Sequence, residues 1–239
     1  MNKTLSIVIP VFNKFNFTKS CLKDLSKLPN DHEIIIIDNG STDETKSQLK
    51  DSKEINYINL GKNEGFAKGC NMGAFYSEGD NILFLNNDIR VKSDHSNWTK
   101  PLIDACATSL CGPTMGLLND KLEFVMEANR KFTGKSYLSG WCIAASRKIW
   151  QKVNFPRPVD KDDDFECTPI GTIPQIFSEE FGLAYFEDTD LSFRAKKLNI
   201  NFEVVDIPVV HFGRQTSSQL NTHKLYKSAR EIFINKWGK

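Results

Sequence analysis

Apolar positions in the first ninety residues switch repeatedly between two periods. SIVIPVF (6–12) is a short β-rich run, and FTKSCLKDLSKL (17–28) places Cys21, Leu22, Leu25 and Leu28 on one side of a helix. HEIIIIDN (32–39) is too uniformly apolar to have a wet face, as expected of a strand covered on both sides in a parallel sheet. Thr42, Asp43 and Glu44 then open a helix with acids at its positive end, running to about Leu49. INYINL (55–60) predicts a third strand, GFAKGCNMGAFYS (65–77) a small-residue helix, and NILFLNND (81–88) a fourth strand. This alternation predicts a right-handed, doubly wound α/β sheet.

The second half is less regular. YLSGWCIAASRKIWQKV (137–153) predicts a strand turning into a helix, and residues 154–180, rich in Pro and Asp, a long loop. FEDTDLSFRAKKLNI (186–200) predicts a helix entered through acids, and NFEVVDIPVVHFG (201–213) one or two short strands. A final amphipathic helix carries Leu225, Ala229, Ile232 and Phe233 at helical spacing; packing on the domain and resting on a membrane surface both suit it.

Composition narrows the class without choosing a function. The 239 residues are 40% hydrophobic and 26% charged, an ordinary globular balance, and the net charge of +1 gives no global pull toward nucleic acid or anionic membrane. No apolar run reaches the length of a membrane span. Pro10, Asn13, Lys14 and Asn16 break the N-terminal apolar run too early for a signal peptide, so it reads as a strand. Six dispersed cysteines lack metal-like spacing and read as reduced, buried thiols, which implies a cytoplasmic chain.

Chemistry enters at the strand ends. Asp38 follows the second strand, Lys62-Asn63-Glu64 the third and Asn86-Asn87-Asp88 the fourth, and ligands of such sheets sit beyond those ends. A strand must also stop somewhere, and Asn-Gly-Ser is a good stop. Three polar ends on one crevice favour a binding site.

SIVIPVFNK, IIIIDNGSTDET, NEGFAKGCNMG, ILFLNNDI, YFEDTDLSFRA and VVHFGRQTS together, in this order, resemble nonprocessive family 2 glycosyltransferases, in particular the rhamnosyltransferase-like branch. The resemblance covers about residues 5–237. It implies a GT-A fold, with a Rossmann-like, mostly parallel sheet flanked by helices. A single domain would place nucleotide-sugar binding in about residues 1–110 and acceptor binding with the catalytic base in about 111–239. It further implies inverting transfer of a sugar from a UDP- or dTDP-linked donor to a hydroxyl acceptor, with Mn²⁺ or Mg²⁺ as cofactor, in glycan or glycoconjugate biosynthesis. Asp188 would be the base, with Glu187 binding acceptor or orienting it. Asp88 and His211 would hold the metal. Pro10, Val11, Phe12, Asn13, Asp38, Asn63, Gly65, Lys68 and Asn87 would bind the nucleotide, Asp38 by accepting the N3–H of uracil or thymine. Gly140 and Trp141 would line the acceptor side, and Arg214 would cover the diphosphate. Asn39 reads as structural. Asn86 and Asn87 stand where many relatives keep a further aspartate, which weakens the expected metal affinity.

Other readings are a noncatalytic nucleotide-sugar-binding subunit and a sugar nucleotidyltransferase. The latter is disfavoured because PVFNKFNFT (10–18) has no glycine. The acceptor class stays open and includes lipid-linked glycan, cell-wall polymer, protein and nucleic acid. Contact with the inner face of a membrane stays open too.

Overall fold

A computed structural model describes residues 3–92, 96–125, 134–155, 157–158, 172–213 and 221–238. The alternating first part folds as β1 (Leu5–Val11), α1 (Phe15–Leu25), β2 (His32–Asp38), α2 (Thr45–Leu49), β3 (Asn56–Asn59), α3 (Phe66–Tyr76), β4 (Asn81–Leu85) and β5 (Ile89–Val91). Then come α4 (Lys100–Cys106), β6 (Ser109–Gly112), β7 (Met115–Leu118), β8 (Phe124–Val125), β9 (Ser136–Leu138), β10 (Cys142–Ser146) and α5 (Arg147–Val153). The chain closes with β11 (Arg157–Pro158), β12 (Thr172–Ile173), a 3-10 turn (Glu179–Phe181), α6 (Glu187–Lys197), β13 (Asn201–Val204), β14 (Val209–His211) and α7 (Thr222–Trp237).

Seven strands form the central sheet in the order β13-β6-β10-β4-β1-β2-β3. All its pairings are parallel except those of β10, which runs antiparallel between β4 and β6. The isoleucine run explains why both faces are dry. Ile35 and Ile37 point into one apolar core with Val8, Phe84 and Trp150, under α3, α5 and α6. Ile36 points into the other with Ile7, Ile9 and Leu83, under α1 and α4. Period-two alternation thus feeds two cores rather than one core and solvent.

The register aligns the strand ends. Val11 pairs with Asp38 and Asp38 with Asn59, while Cys142 opposes Leu85. The segments after β1, β2, β3 and β4, and the turn before β10, therefore leave the sheet at one edge. β5 and β14 pair separately, setting His211 opposite Ile89.

The predicted loop at 154–180 carries the short β11–β12 pair at its described ends; residues 159–171 lie outside the description. Five cysteines are free and buried; Cys167 is outside the described residues. The tail helix packs on the domain, with Ala229 and Phe233 fully buried in an aromatic cluster with Phe181 and Phe186. Among the described residues no helix is long and apolar enough to cross a membrane.

Candidate active site

A cavity of about 330 Å³ opens at the aligned strand ends. Pro10 and Val11 at the end of β1 with Phe12 just after it, Asn39 after β2, and Asn63, Gly65 and Phe66 at the start of α3 form one wall. Asn86, Asn87, Asp88 and His211 form the floor beside β4. Gly140, Trp141, Glu187 and Asp188 close it from the second half of the chain.

The floor is built by strand pairing. Phe212 N–H donates to the Asp88 carbonyl at 2.9 Å, extending the β5–β14 ladder. His211 Nε2 consequently lies 3.0 Å from Asp88 Oδ1. That oxygen is buried, yet it makes no hydrogen bond, so the two atoms approach without the alignment a hydrogen bond needs. The Asn86 amide lies 3.3 Å from the same imidazole nitrogen. An orphaned carboxylate oxygen beside an imidazole nitrogen is a donor pair suited to a divalent cation. Among the described residues no group of three His, Cys, Asp or Glu side chains gathers around a common point. Two protein ligands would leave the remaining positions to phosphate oxygens and water, as Mg²⁺-type sites do. Trp141 holds the imidazole from the side, stacked on it at 4.7 Å with rings 9° apart.

The acids at the α6 entry are placed by packing instead. Tyr185 and Phe186 are both left-handed, at φ 79° and 68°, a conformation costing about 1–3 kcal/mol for a non-glycine residue. Burial of Phe186 in the aromatic cluster, against Phe124, Tyr226 and Phe233, offsets that strain. The turn aims Glu187 and Asp188 into the cavity. Asp188 Oδ2 accepts the Gly140 N–H at 2.8 Å, and Oδ1 accepts the N–H and hydroxyl of Thr189 at 2.6 and 3.1 Å. Glu187 Oε2 is buried without a partner.

Those contacts divide the pair. Burial raises the pKa of Asp188, and its three hydrogen bonds oppose the rise. Burial, and then the charge of Asp188, push Glu187 up to about 8. The one negative charge that two adjacent buried carboxyls can comfortably carry belongs on Asp188, leaving Glu187 protonated near neutral pH.

Comparison with known proteins places the chain in a family. The family model described as Glycosyl transferase family 2 matches residues 6–149, more than half of the chain. The chain belongs to glycosyl transferase family 2. A Rickettsia conorii protein named as a glycosyltransferase is 39% identical over 88 residues, 35% of this chain and 14% of the relative. The dTDP-rhamnosyl transferase RfbF of Shigella flexneri is 27% identical over 137 residues, 56% of this chain and 46% of the relative. The low-salt glycan biosynthesis hexosyltransferase Agl10 of Haloferax volcanii is 27% identical over 212 residues, 84% of this chain and 66% of the relative. The chain thus spans less than half of the rickettsial and Shigella relatives. Among solved structures, residues 1–349 of S. aureus TarS in complex with UDP-GlcNAc superpose with a TM-score of 0.59 at 17% identity, covering 97% of this chain and 66% of that one. The mannosyltransferase PcManGT from Pyrobaculum calidifontis, in complex with GDP-Man and Mn²⁺, gives 0.58 at 10% identity, covering 84% and 54%. These neighbours share the GT-A fold with this family 2 chain.

Most residues expected at the site line the cavity: Pro10, Val11, Phe12, Asn63, Gly65, Asn87, Asp88, Gly140, Trp141, Glu187, Asp188 and His211. Three do not. Asp38 is fully buried behind the wall, accepting the Ser41 N–H at 2.8 Å, the Tyr57 hydroxyl and, at 3.4 Å, the Asn59 amide. The strand end delivers it to its own following turn, and Asn39, read as structural, takes the place on the wall. Asn13 is turned toward the same loop, its Oδ1 accepting the N–H groups of Thr42 at 2.7 Å and Asp43 at 3.2 Å. Lys68 is drawn to Glu64, 3.6 Å away.

The small residue at 65 also serves a different approach from the one expected. A Cβ on Gly65 would lie 2.7 Å from the Gly182 carbonyl and 2.8 Å from Leu183 Cα. What comes close there is the chain's own 182–183 backbone, tied by Phe66 N–H to the Leu183 carbonyl at 3.1 Å. Gly140 likewise holds the Asp188 carboxylate through its N–H as well as lining the wall. Arg214 lies outside the described residues. Phe124, Tyr137 and residues 183–186 line the cavity and were not anticipated, because no local pattern brings β8 and β9 to this edge.

Proposed function

We propose that this domain catalyses inverting transfer of a sugar from a UDP- or dTDP-linked donor to a hydroxyl acceptor, in glycan biosynthesis. One observation carries the reading: the hydrogen-bonded carboxylate of Asp188 and the Asp88–His211 pair open into the same cavity. Asp188 accepts the proton of the attacking hydroxyl while the new C–O bond forms at the anomeric carbon and the bond to the diphosphate breaks on the opposite face. Gly140 N–H and Thr189 hold the receiving carboxylate in one orientation. Glu187, kept neutral, adds no second negative charge beside the diphosphate and can donate a hydrogen bond to substrate.

Among the described residues no Lys or Arg lines the cavity. Asp88 and His211 would hold a divalent cation, Mn²⁺ or Mg²⁺, which would supply electrostatic stabilisation where charge develops on the leaving diphosphate. Asn39, Asn63 and the Pro10–Phe12 segment form the wall for the nucleoside. Asp38 and Asn13 shape that wall from behind by holding the 39–43 turn.

Release of nucleoside diphosphate from a panel of UDP-, dTDP- and GDP-sugars, with Mn²⁺ and with chelator, tests the proposal. Turnover of a UDP- or dTDP-sugar that needs the cation is expected. Binding without any turnover would leave a noncatalytic nucleotide-sugar binder.

A further inference from the structure

The two ends of the cavity differ in chemistry. Asparagines, Asp88 and His211 line one end; Phe124, Tyr137 and Tyr185 line the other, next to Asp188. The aromatic end is built to a definite shape. β7 and β9 pair so that Tyr137 lies opposite Gly116. A Cβ at position 116 would stand 2.2 Å from Tyr137 Cζ and 2.4 Å from its hydroxyl oxygen. The phenol ring thus lies across bare glycine backbone, in space that any other residue would fill. On either side of it, Ser136 and Leu138 are buried, with Leu138 N–H donating to Ser192 of α6 at 3.0 Å, so Tyr137 faces the cavity. Phe124 packs against Tyr137 at 5.5 Å and is stacked on Phe186 at 4.6 Å. Tyr185 meets Tyr226 of α7 edge-on at 5.8 Å. The rings are therefore held in place without a ligand.

The Tyr137 hydroxyl makes no hydrogen bond among the described residues. Burial and the nearby Asp188 charge raise its pKa, so it stays a neutral donor. A rigid aromatic wall with the Tyr137 hydroxyl beside the proposed base has two demands: an apolar face to cover the rings and a hydroxyl edge to meet the phenol. A pyranose ring has both, C–H bonds on its faces and hydroxyls around its rim. An acyclic alcohol or a Ser or Thr side chain leaves the rings uncovered. A nucleic acid brings phosphates to a cavity whose described lining has no Lys or Arg.

Taking the transfer reading as its starting point, we propose that Tyr137, Phe124 and Tyr185 form the binding platform for a pyranose ring of the acceptor, with Gly116 making the space for Tyr137; the acceptor is a saccharide. The ring stacks on this wall and donates or accepts at the Tyr137 hydroxyl, which turns a neighbouring sugar hydroxyl toward Asp188.

Saturation-transfer NMR on the protein with UDP and Mn²⁺ tests this, using methyl pyranosides of glucose, galactose, mannose, rhamnose and N-acetylglucosamine as probes, with glycerol and thymidine as controls. At least one pyranoside should receive saturation at its ring protons while glycerol does not. Gly116→Ala, which pushes the phenol from its seat, and Tyr137→Phe, which removes only the hydroxyl, should each weaken that binding about tenfold. Absence of saturation for every pyranoside overturns the platform. So does equal binding of glycerol or thymidine, or binding untouched by both substitutions. The measurement needs no turnover, so it stands apart from the donor assay: an enzyme that splits a nucleotide sugar but ignores pyranosides refutes the platform alone.

Discussion

Two pairs of acids, one in each half of the chain, reach nearly the same edge of the sheet by different physics. Asp38 ends β2, where the strand register sets its depth, and Asp88 lies just past β4. Glu187 and Asp188 sit at a helix entry held by a strained turn and an aromatic cluster that draws on residues far along the chain. At Asp38 this arrangement is stiff but self-absorbed: held by the Ser41 N–H of its own turn and by Tyr57 and Asn59 of β3, it is spent on tying that turn to the sheet. The second costs strain and desolvation, and in return presents one carboxylate with fixed orientation and a neutral neighbour to the cavity. A strand end can thus organise a wall, whereas the proposed base sits at the costlier helix entry.

The sharpest break of this contrast is at the base. Asp188→Asn keeps the shape and the Gly140 contact but cannot take a proton, so transfer should fall about 10²–10⁴-fold while donor binding changes little. Single-turnover transfer and calorimetric donor titration on the same variant decide it. Near-normal transfer would move the base elsewhere and leave the α6 entry without its assigned role.

The contrast also explains what could be read in advance. The doubly wound first half and its strand-end residues were legible because periodicity and register are local: four isoleucines dictate a buried strand, and its end follows. The family resemblance found Asp188 and His211, which periodicity alone could not rank. Residues 89–136 carried no assigned element; there β6 is placed by pairing with the distant β10 and β13, and β7 joins β8 and β9 in a separate small sheet. Phe124 went unseen for that reason; Tyr137 fell at the start of the predicted 137–153 strand, but its place opposite Gly116 of β7 could not be read from that run. Asp38 was misplaced for a different one: its neighbours Tyr57 and Asn59 lie one strand away, and their claim on its oxygens cannot be read from IIIIDNGSTD.

If Asp38 is a folding residue first, Asp38→Ala should show it as stability. The substitution leaves the Ser41 N–H, Tyr57 hydroxyl and Asn59 amide without their acceptor in a buried site, a loss of about 2–4 kcal/mol. Urea denaturation measures it. Nucleotide affinity should also drop, because the 39–43 turn behind the wall loosens. An unchanged denaturation midpoint with lost nucleotide binding would instead put Asp38 in direct contact with the base.

The smallest effect reads the carboxyl pair itself. An acid raised in the folded state contributes its full stability below its ordinary pKa and loses it as pH climbs through the folded value. For Glu187 the window runs from 4.5 to about 8. Within it the unfolded chain releases the proton while the folded chain keeps it, so the wild type weakens as pH rises. Glu187→Gln has no proton to release. Below pH 4.5 the two proteins should be equally stable, and by pH 8 the glutamine variant should be the more stable by about 1–3 kcal/mol, less than the full shift because the cavity admits some solvent. Urea melts in chelator across that range give the curve directly. A constant difference at every pH would mean that Glu187 already ionises when folded, and the division of charge between the two acids would be reversed.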